Sequence, residues 1–168
     1  MRIRSVALLC IWLLGCDDDS GTDKAAPGTV RMTLDGVERT SVSAPVKPYA
    51  YLNTAENTID ITAFFQNESN PDLFSTLGIK LHNAKKGFDI LLDDPFRWNN
   101  SVIFYNSESG DGYVSVFADG IVGTVFVYEL DLSRNLISGT FEVEMATSDK
   151  SKKIIITAGS FTKIPIQK

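Results

Sequence analysis

The residues predict an all-β domain: a single antiparallel β-sandwich of about eight or nine strands, with a β-barrel as the alternative. Three observations carry that expectation. From Thr29 onward apolar residues recur with a period of two rather than 3.6. The runs are filled by β-branched and aromatic side chains, which suit a pleated surface buried on one face. Turn formers separate the runs at short intervals, and no stretch predicts a helix longer than a turn or two.

The first strand, Thr29 to Leu34, ends at Asp35-Gly36. That pair signals a tight hairpin, because a type I′ turn needs positive φ at both central positions. Ile59, Ile61, Ala63 and Phe65 then alternate with Thr58, Asp60, Thr62 and Gln66. After Asn70-Pro71-Asp72, Leu77, Ile79 and Leu81 alternate with Gly78, Lys80 and His82. Asp94-Pro95 and Ser109-Gly110-Asp111-Gly112 break the chain again, and Val114 and Val116 then sit between Tyr113, Ser115 and Phe117 as a further strand. Past Asp119-Gly120 the pattern predicts a three-strand meander: residues 122–132, a turn at Ser133-Arg134-Asn135, residues 136–145, a turn over residues 147–151, and residues 153–164. Phe141, Val143 and Met145 face one way there, Glu142 and Glu144 the other.

The segment before Thr29 reads differently. Arg2 and Arg4 precede an apolar run from Val6 to Leu14, closed by Gly15-Cys16. A positive start, a short apolar run and a small residue form the layout of a secretory signal. At about nine residues the run is too short to span roughly 30 Å of hydrocarbon as a helix. Leu13-Leu14-Gly15-Cys16 resembles the bacterial lipobox, which implies cleavage before Cys16 and acylation of its thiol. Leu9 before Cys10 is not small, which makes Cys10 the poorer cleavage site. The resemblance further implies several acyl chains, and two or more make membrane attachment stable. Residues 1–15 are therefore expected to be a lipoprotein signal peptide, residues 16–28 an acidic flexible tether and residues 29–168 the sandwich. The run Asp17-Asp18-Asp19 resembles the surface-export signal of Bacteroidota lipoproteins and implies an outer-membrane, surface-exposed address. In enterobacterial lipoproteins an aspartate in that place marks retention at the inner membrane, so a periplasm-facing anchor is the alternative.

A second resemblance lies in the domain itself. Thr29-Val30-Arg31-Met32-Thr33-Leu34-Asp35-Gly36, Leu130 to Phe141 and Ile156-Thr157-Ala158-Gly159-Ser160-Phe161 are similar to the opening strand, penultimate hairpin and closing strand of small Bacteroidota lipoprotein domains of unknown function. Where those domains place a tryptophan after the opening turn, this chain has Arg39 and Thr40. The likeness implies a fold and an address, and no activity.

Charge and composition narrow the function. The chain has 16 Lys and Arg against 21 Asp and Glu; losing Arg2 and Arg4 with the signal leaves 14 against 21, a net charge of −7. No basic stripe is present, which argues against nucleic acid as a partner. With Cys10 removed and Cys16 acylated, no disulfide remains, and stability must come from the core.

Candidate chemistry is sparse. His82 is the sole histidine, no Gly-x-Ser-x-Gly elbow accompanies it, and a histidine zinc site lacks further nitrogen or sulfur donors; it reads as a solvent-facing strand residue. Carboxylate pairs such as Asp93 with Asp94, or Glu142 with Glu144, would need a cleft between them to hydrolyse glycosides, and they read as loop and surface. The acidic turns at Ser107–Gly112 and Asp119-Gly120 offer oxygen ligands to Ca²⁺ but are ordinary β-turn sequences, and Lys150, Lys152 and Lys153 mark a solvated turn. The most suggestive stretch is Asp93-Asp94-Pro95-Phe96-Arg97-Trp98-Asn99-Asn100. Trp98 and Phe96 offer faces for a sugar ring, while Arg97, Asn99 and Asp94 offer hydrogen bonds; the same aromatics would also plug one end of a sandwich core. The expected role is a binding module for a glycan or protein, without cofactor or metal and without enzymatic activity. An accessory or inhibitor protein acting through a strand edge is the alternative, and a glycoside hydrolase stands behind both.

Overall fold

The computed structural model describes residues 26–44, 46–92, 100–118 and 122–168. The signal segment, Cys16 with Asp17, Asp18 and Asp19, and the stretch holding Asp93, Asp94, Phe96, Arg97, Trp98 and Asn99 lie outside the described residues, as does Asp119-Gly120.

The described chain is all-β. Eleven strands follow in order: β1 (Thr29–Leu34), β2 (Val37–Thr40), β3 (Tyr49–Asn53), β4 (Thr58–Gln66), β5 (Phe74–His82), β6 (Phe88–Leu91), β7 (Ser101–Asn106), β8 (Asp111–Val114), β9 (Gly123–Asp131), β10 (Leu136–Ala146) and β11 (Lys153–Gln167). The class is the predicted one and the strand count is larger. The extra strands are short, such as Val-Glu-Arg-Thr in β2 and Phe-Asp-Ile-Leu in β6, or break alternation, such as Tyr-Ala-Tyr-Leu-Asn in β3. The strand expected through Val116 stops at Val114. Ser115–Phe117 turns into a single 3-10 turn there, and the buried Ser115 hydroxyl accepts the Val102 amide at 3.0 Å.

Hydrogen-bonded pairing groups the strands into two layers. One runs β2-β1-β11-β10-β9-β6, all antiparallel; the other runs β3-β4-β5-β7-β8. Two thin seams join them into one continuous sheet. The end of β11 pairs in parallel with β3 at Ile166↔Ala50 and Gln167↔Tyr51, and β10 meets β8 at Ala146↔Val114 alone. The result is a sandwich with bridged corners rather than a clean barrel. Ile59, Ile61, Leu77, Ile79 and Phe104 from one layer face Met32, Val125, Ile137, Phe141 and Ile156 from the other, in a single buried cluster.

Local chemistry fixes these elements. Asp35 (φ 47°) and Gly36 (φ 84°) close the β1–β2 hairpin as the sequence predicts. The meander β9-β10-β11 also forms within a few residues of its expected bounds. In β11 the core-facing positions run Ile154, Ile156, Gly159, Phe161, Ile164, Ile166, with Ser160 and Thr162 buried on the other side, so the spacing jumps twice from two to three. Each jump holds one residue in the left-handed region, Ala158 (φ 48°) and Lys163 (φ 50°), where the pairing with β10 shifts register. A single extra residue would turn every later side chain to the wrong face; a bulge absorbs it and bends the strand. Between the bulges, Gly139 lies opposite Phe161 and Gly159 opposite Phe141. Each phenylalanine covers the glycine facing it, and a Cβ on either glycine would collide with that ring. The two rings lie 6.4 Å apart with their planes tilted by 30°. Gly-Thr-Phe and Gly-Ser-Phe are thus one reciprocal packing unit.

Candidate binding face

The inner faces of both layers are consumed by the core, so a ligand site must lie on an outer face, an edge or a loop. On the five-stranded layer the outer face carries apolar side chains as well. Antiparallel register places Tyr49, Thr62, Gly78 and Ile103 in one row across β3, β4, β5 and β7. The next row holds Tyr51, Asp60, Lys80 and Ser101; on the other side Phe64, Thr76 and Tyr105 form a third. Tyr51, Ile103 and Tyr105 are between 43 and 49 % exposed, far above what strand residues of a covered face show.

Two depressions lie on this face. The larger, about 400 Å³, is lined by Val42, Val46, Phe64, Leu73, Phe74 and Tyr105, with Asp72, Thr76 and Ser107 as its polar groups. That combination of apolar wall and few polar groups is typical of small-molecule and side-chain pockets. Its wall at Val42 is set by the Val42 amide, which donates to the Phe64 carbonyl at 2.9 Å as the chain crosses between layers. The second, about 300 Å³, lies over Gly78 between Asp60, Thr62, Lys80, Ser101 and Ile103. Burial pushes the Asp60 carboxyl above its ordinary range; Lys80 opposes that shift and Glu56 adds to it. Lys80 in turn reaches Glu56 at 3.8 Å.

No family model, curated protein or solved structure matches this chain.

The residues singled out from sequence fall into two groups. Cys16 and its aspartates, and Asp94, Phe96, Arg97, Trp98 and Asn99, lie outside the described residues. The others have positions. His82 ends β5 on the face of Lys80, with the Asn83 amide 2.8 Å from its Nδ1 and Asn83 in turn accepting from Asn57. Glu142 and Glu144 share the outer face of β10, and Lys153 holds Glu144 at 2.7 Å. Residues 107–110 form the β7–β8 turn, its Asn106 side chain accepting the Glu108 amide at 2.9 Å. Lys152 pairs with Asp111 at 2.7 Å, and this hydrogen bond, then that from Ser109, lowers the Asp111 carboxyl below its ordinary range. Among the described residues no group of three or more His, Cys, Asp or Glu side chains is placed to hold a metal ion. None of their helices is long and apolar enough to cross a membrane.

The outer face of the five-stranded layer was not singled out from sequence. Its signal is present nonetheless: Ser-Val-Ile-Phe-Tyr in β7 is apolar on both faces, and Phe64 interrupts the polar phase of β4.

Proposed function

We propose that this protein is a lipid-anchored lipoprotein of the cell envelope, exposed at the cell surface, that acts as a binding module through the outer face of its five-stranded layer. The observation that carries the reading is the solvent-exposed trio Tyr51, Ile103 and Tyr105, one from each of three successive rows, beside two depressions. Exposed apolar area gathered on one face, with polar groups between, marks interaction surfaces on soluble domains. The lipobox-like Leu13-Leu14-Gly15-Cys16 and the acidic residues behind it support the address.

Two measurements test it. Metabolic palmitate labelling should tag the wild-type chain and not Cys16→Ser, and protease added to intact cells should remove the anchored domain; an unlabelled, protease-resistant wild type would end the envelope reading. For binding, cells expressing the full-length chain are screened against immobilised oligosaccharides and a displayed peptide library. A retained ligand lost on Tyr105→Ala, at unchanged melting temperature, supports this face. One that ignores Tyr105→Ala and Ile103→Lys places the site elsewhere.

A second reading rests on β6. Among the described residues it is an edge strand of four residues in the six-stranded layer, and Phe88 on it is 62 % exposed. An accessory protein could add a partner's strand there. Phe88→Lys would then abolish partner binding while leaving ligand retention by the Tyr105 face untouched.

A further inference from the structure

We infer that the ligand of the five-stranded face is a neutral glycan lying across β3, β4, β5 and β7, with one sugar ring seated over Gly78 beside Ile103 and the run of rings reaching Tyr51 on β3. The inference rests on the reading of this face as the binding surface and specifies its ligand class.

Gly78 is the first ground. It sits mid-strand in β5, where glycine weakens a sheet by forgoing side-chain packing and adding backbone entropy to the unfolded chain. Two usual reasons for such a glycine are absent. Its φ is not in the left-handed region, and a Cβ built on it meets no atom within 4 Å. Neither backbone geometry nor crowding within the domain calls for it. A strand glycine with open space above it leaves the backbone accessible to something from outside.

The second ground is the chemistry around that opening. A pyranose ring has an apolar face of C–H bonds and an edge of hydroxyls that donate and accept alternately. Tyr49, Tyr51, Ile103 and Tyr105 offer surface for the first. Asp60 accepts, Lys80 donates, and the hydroxyls of Thr62 and Ser101 do both. Burial of Asp60 raises the cost of leaving its oxygens without donors, which a sugar diol would supply. At about 4.8 Å between strands, the four strands give a face about 14 Å across, enough for a short run of rings.

The third ground is what the face does not offer. Asp60 lies opposite Lys80, so the opening carries both signs at close range rather than the cationic cluster that sulfates, phosphates or uronates require. A net charge of −5 for the whole chain, and more negative after loss of Arg2 and Arg4, opposes anionic ligands further. Recognition of a peptide by its main chain is also closed, because β4 and β5 have hydrogen-bonded neighbours on both edges.

The test is titration calorimetry on the full-length chain in detergent. The probes are neutral hexasaccharides of glucose, mannose and xylose, a hexauronate, and peptides selected from the displayed library. Gly78→Val places its Cβ in open space and suits a strand, so the variant is expected to fold with equal or higher melting temperature. At least one neutral hexasaccharide should bind the wild type and weaken about tenfold or more in Gly78→Val and in Tyr51→Ala. Neutral-sugar binding unaffected by Gly78→Val overturns the inference, as does binding of the hexauronate or of peptides alone. If those other probes depend on Tyr105, the face remains a binding surface with a different ligand; if no probe binds, or none depends on Tyr51, Gly78 or Tyr105, both readings fall.

Discussion

Ala158 and Gly139 are near neighbours in the β10–β11 ladder with opposite demands on the backbone. Ala158 is exposed and sits at φ 48°, where a Cβ is crowded against the following carbonyl. Ala158→Gly removes that strain and no packing, and should stabilise the domain by about 1 kcal/mol in urea unfolding. Gly139 has the reverse problem, since an added methyl meets the Phe161 ring and the Phe126 carbonyl. Gly139→Ala is expected to cost about 2–3 kcal/mol, and Gly159→Ala a similar amount, by forcing the paired rings apart. Exposed carboxylates set the acid response. Hydrogen bonds from Thr147 and then Ser151 lower the Asp149 carboxyl to about 2, and those from Ser133 and Arg134 lower Asp131 further. A depressed carboxyl stabilises above its unfolded value and loses that contribution as pH falls through the folded one. The melting temperature should therefore drop as pH falls from about 4 toward 2, and Asp149→Asn should flatten part of that slope in a thermal scan.

Ser138 governs the register of the meander at the scale of elements. Its buried hydroxyl donates to Glu129 at 2.8 Å on β9 and accepts the Lys163 amide at 2.9 Å on β11, beside the bulge where Lys163 takes φ 50°. Ser138→Ala strands that amide inside the sheet and should cost about 1–3 kcal/mol, with the largest amide shifts at residues 162–164 in NMR spectra. None of this was legible beforehand. Ile59 to Phe65, Leu77 to Leu81 and Phe141 to Met145 announced themselves through strict alternation, and Asp35-Gly36 through its turn chemistry. The bulges did not, because Ala158 and Lys163 are poor left-handed residues that only the partner strand forces into place. β6 has too few residues for its alternation to be read, and β2, equally short, is announced only by the Asp35-Gly36 turn before it. The exposed face over Gly78 is hidden in the sequence for a related reason: apolar residues on both sides of β7 read as burial on both sides. The sequence points instead to Trp98 and Phe96, which lie outside the described residues.

At the scale of the whole molecule the two layers are held by their shared core and by two narrow seams. The parallel contact of Ile166 and Gln167 with Ala50 and Tyr51 is the only ladder that ties β3 to the other layer among the described residues. Removing residues 166–168 should leave the β9–β11 amides well protected while those of β3 and β4 exchange faster, read by hydrogen exchange with mass spectrometry; uniform exchange across both layers would show that the core alone couples them. The sequence anticipated the class and the single core, since these follow from alternation and from a length that suffices for one interior. It did not anticipate the seams, which depend on where two long strands overrun their partners.

The position of β11 in this scheme bears on how the polypeptide reaches its final form. It is the eleventh of the described strands, yet it contacts the first, the third and the tenth. While a ribosome is still making the first ten, β1 has no inner neighbour and the two halves lack one of their joints. Premature closure is thereby disfavoured by connectivity. Under the envelope address proposed above, a chain exported in extended form would gain from such a delay, because the strand made after the other ten described ones is the one that locks them together.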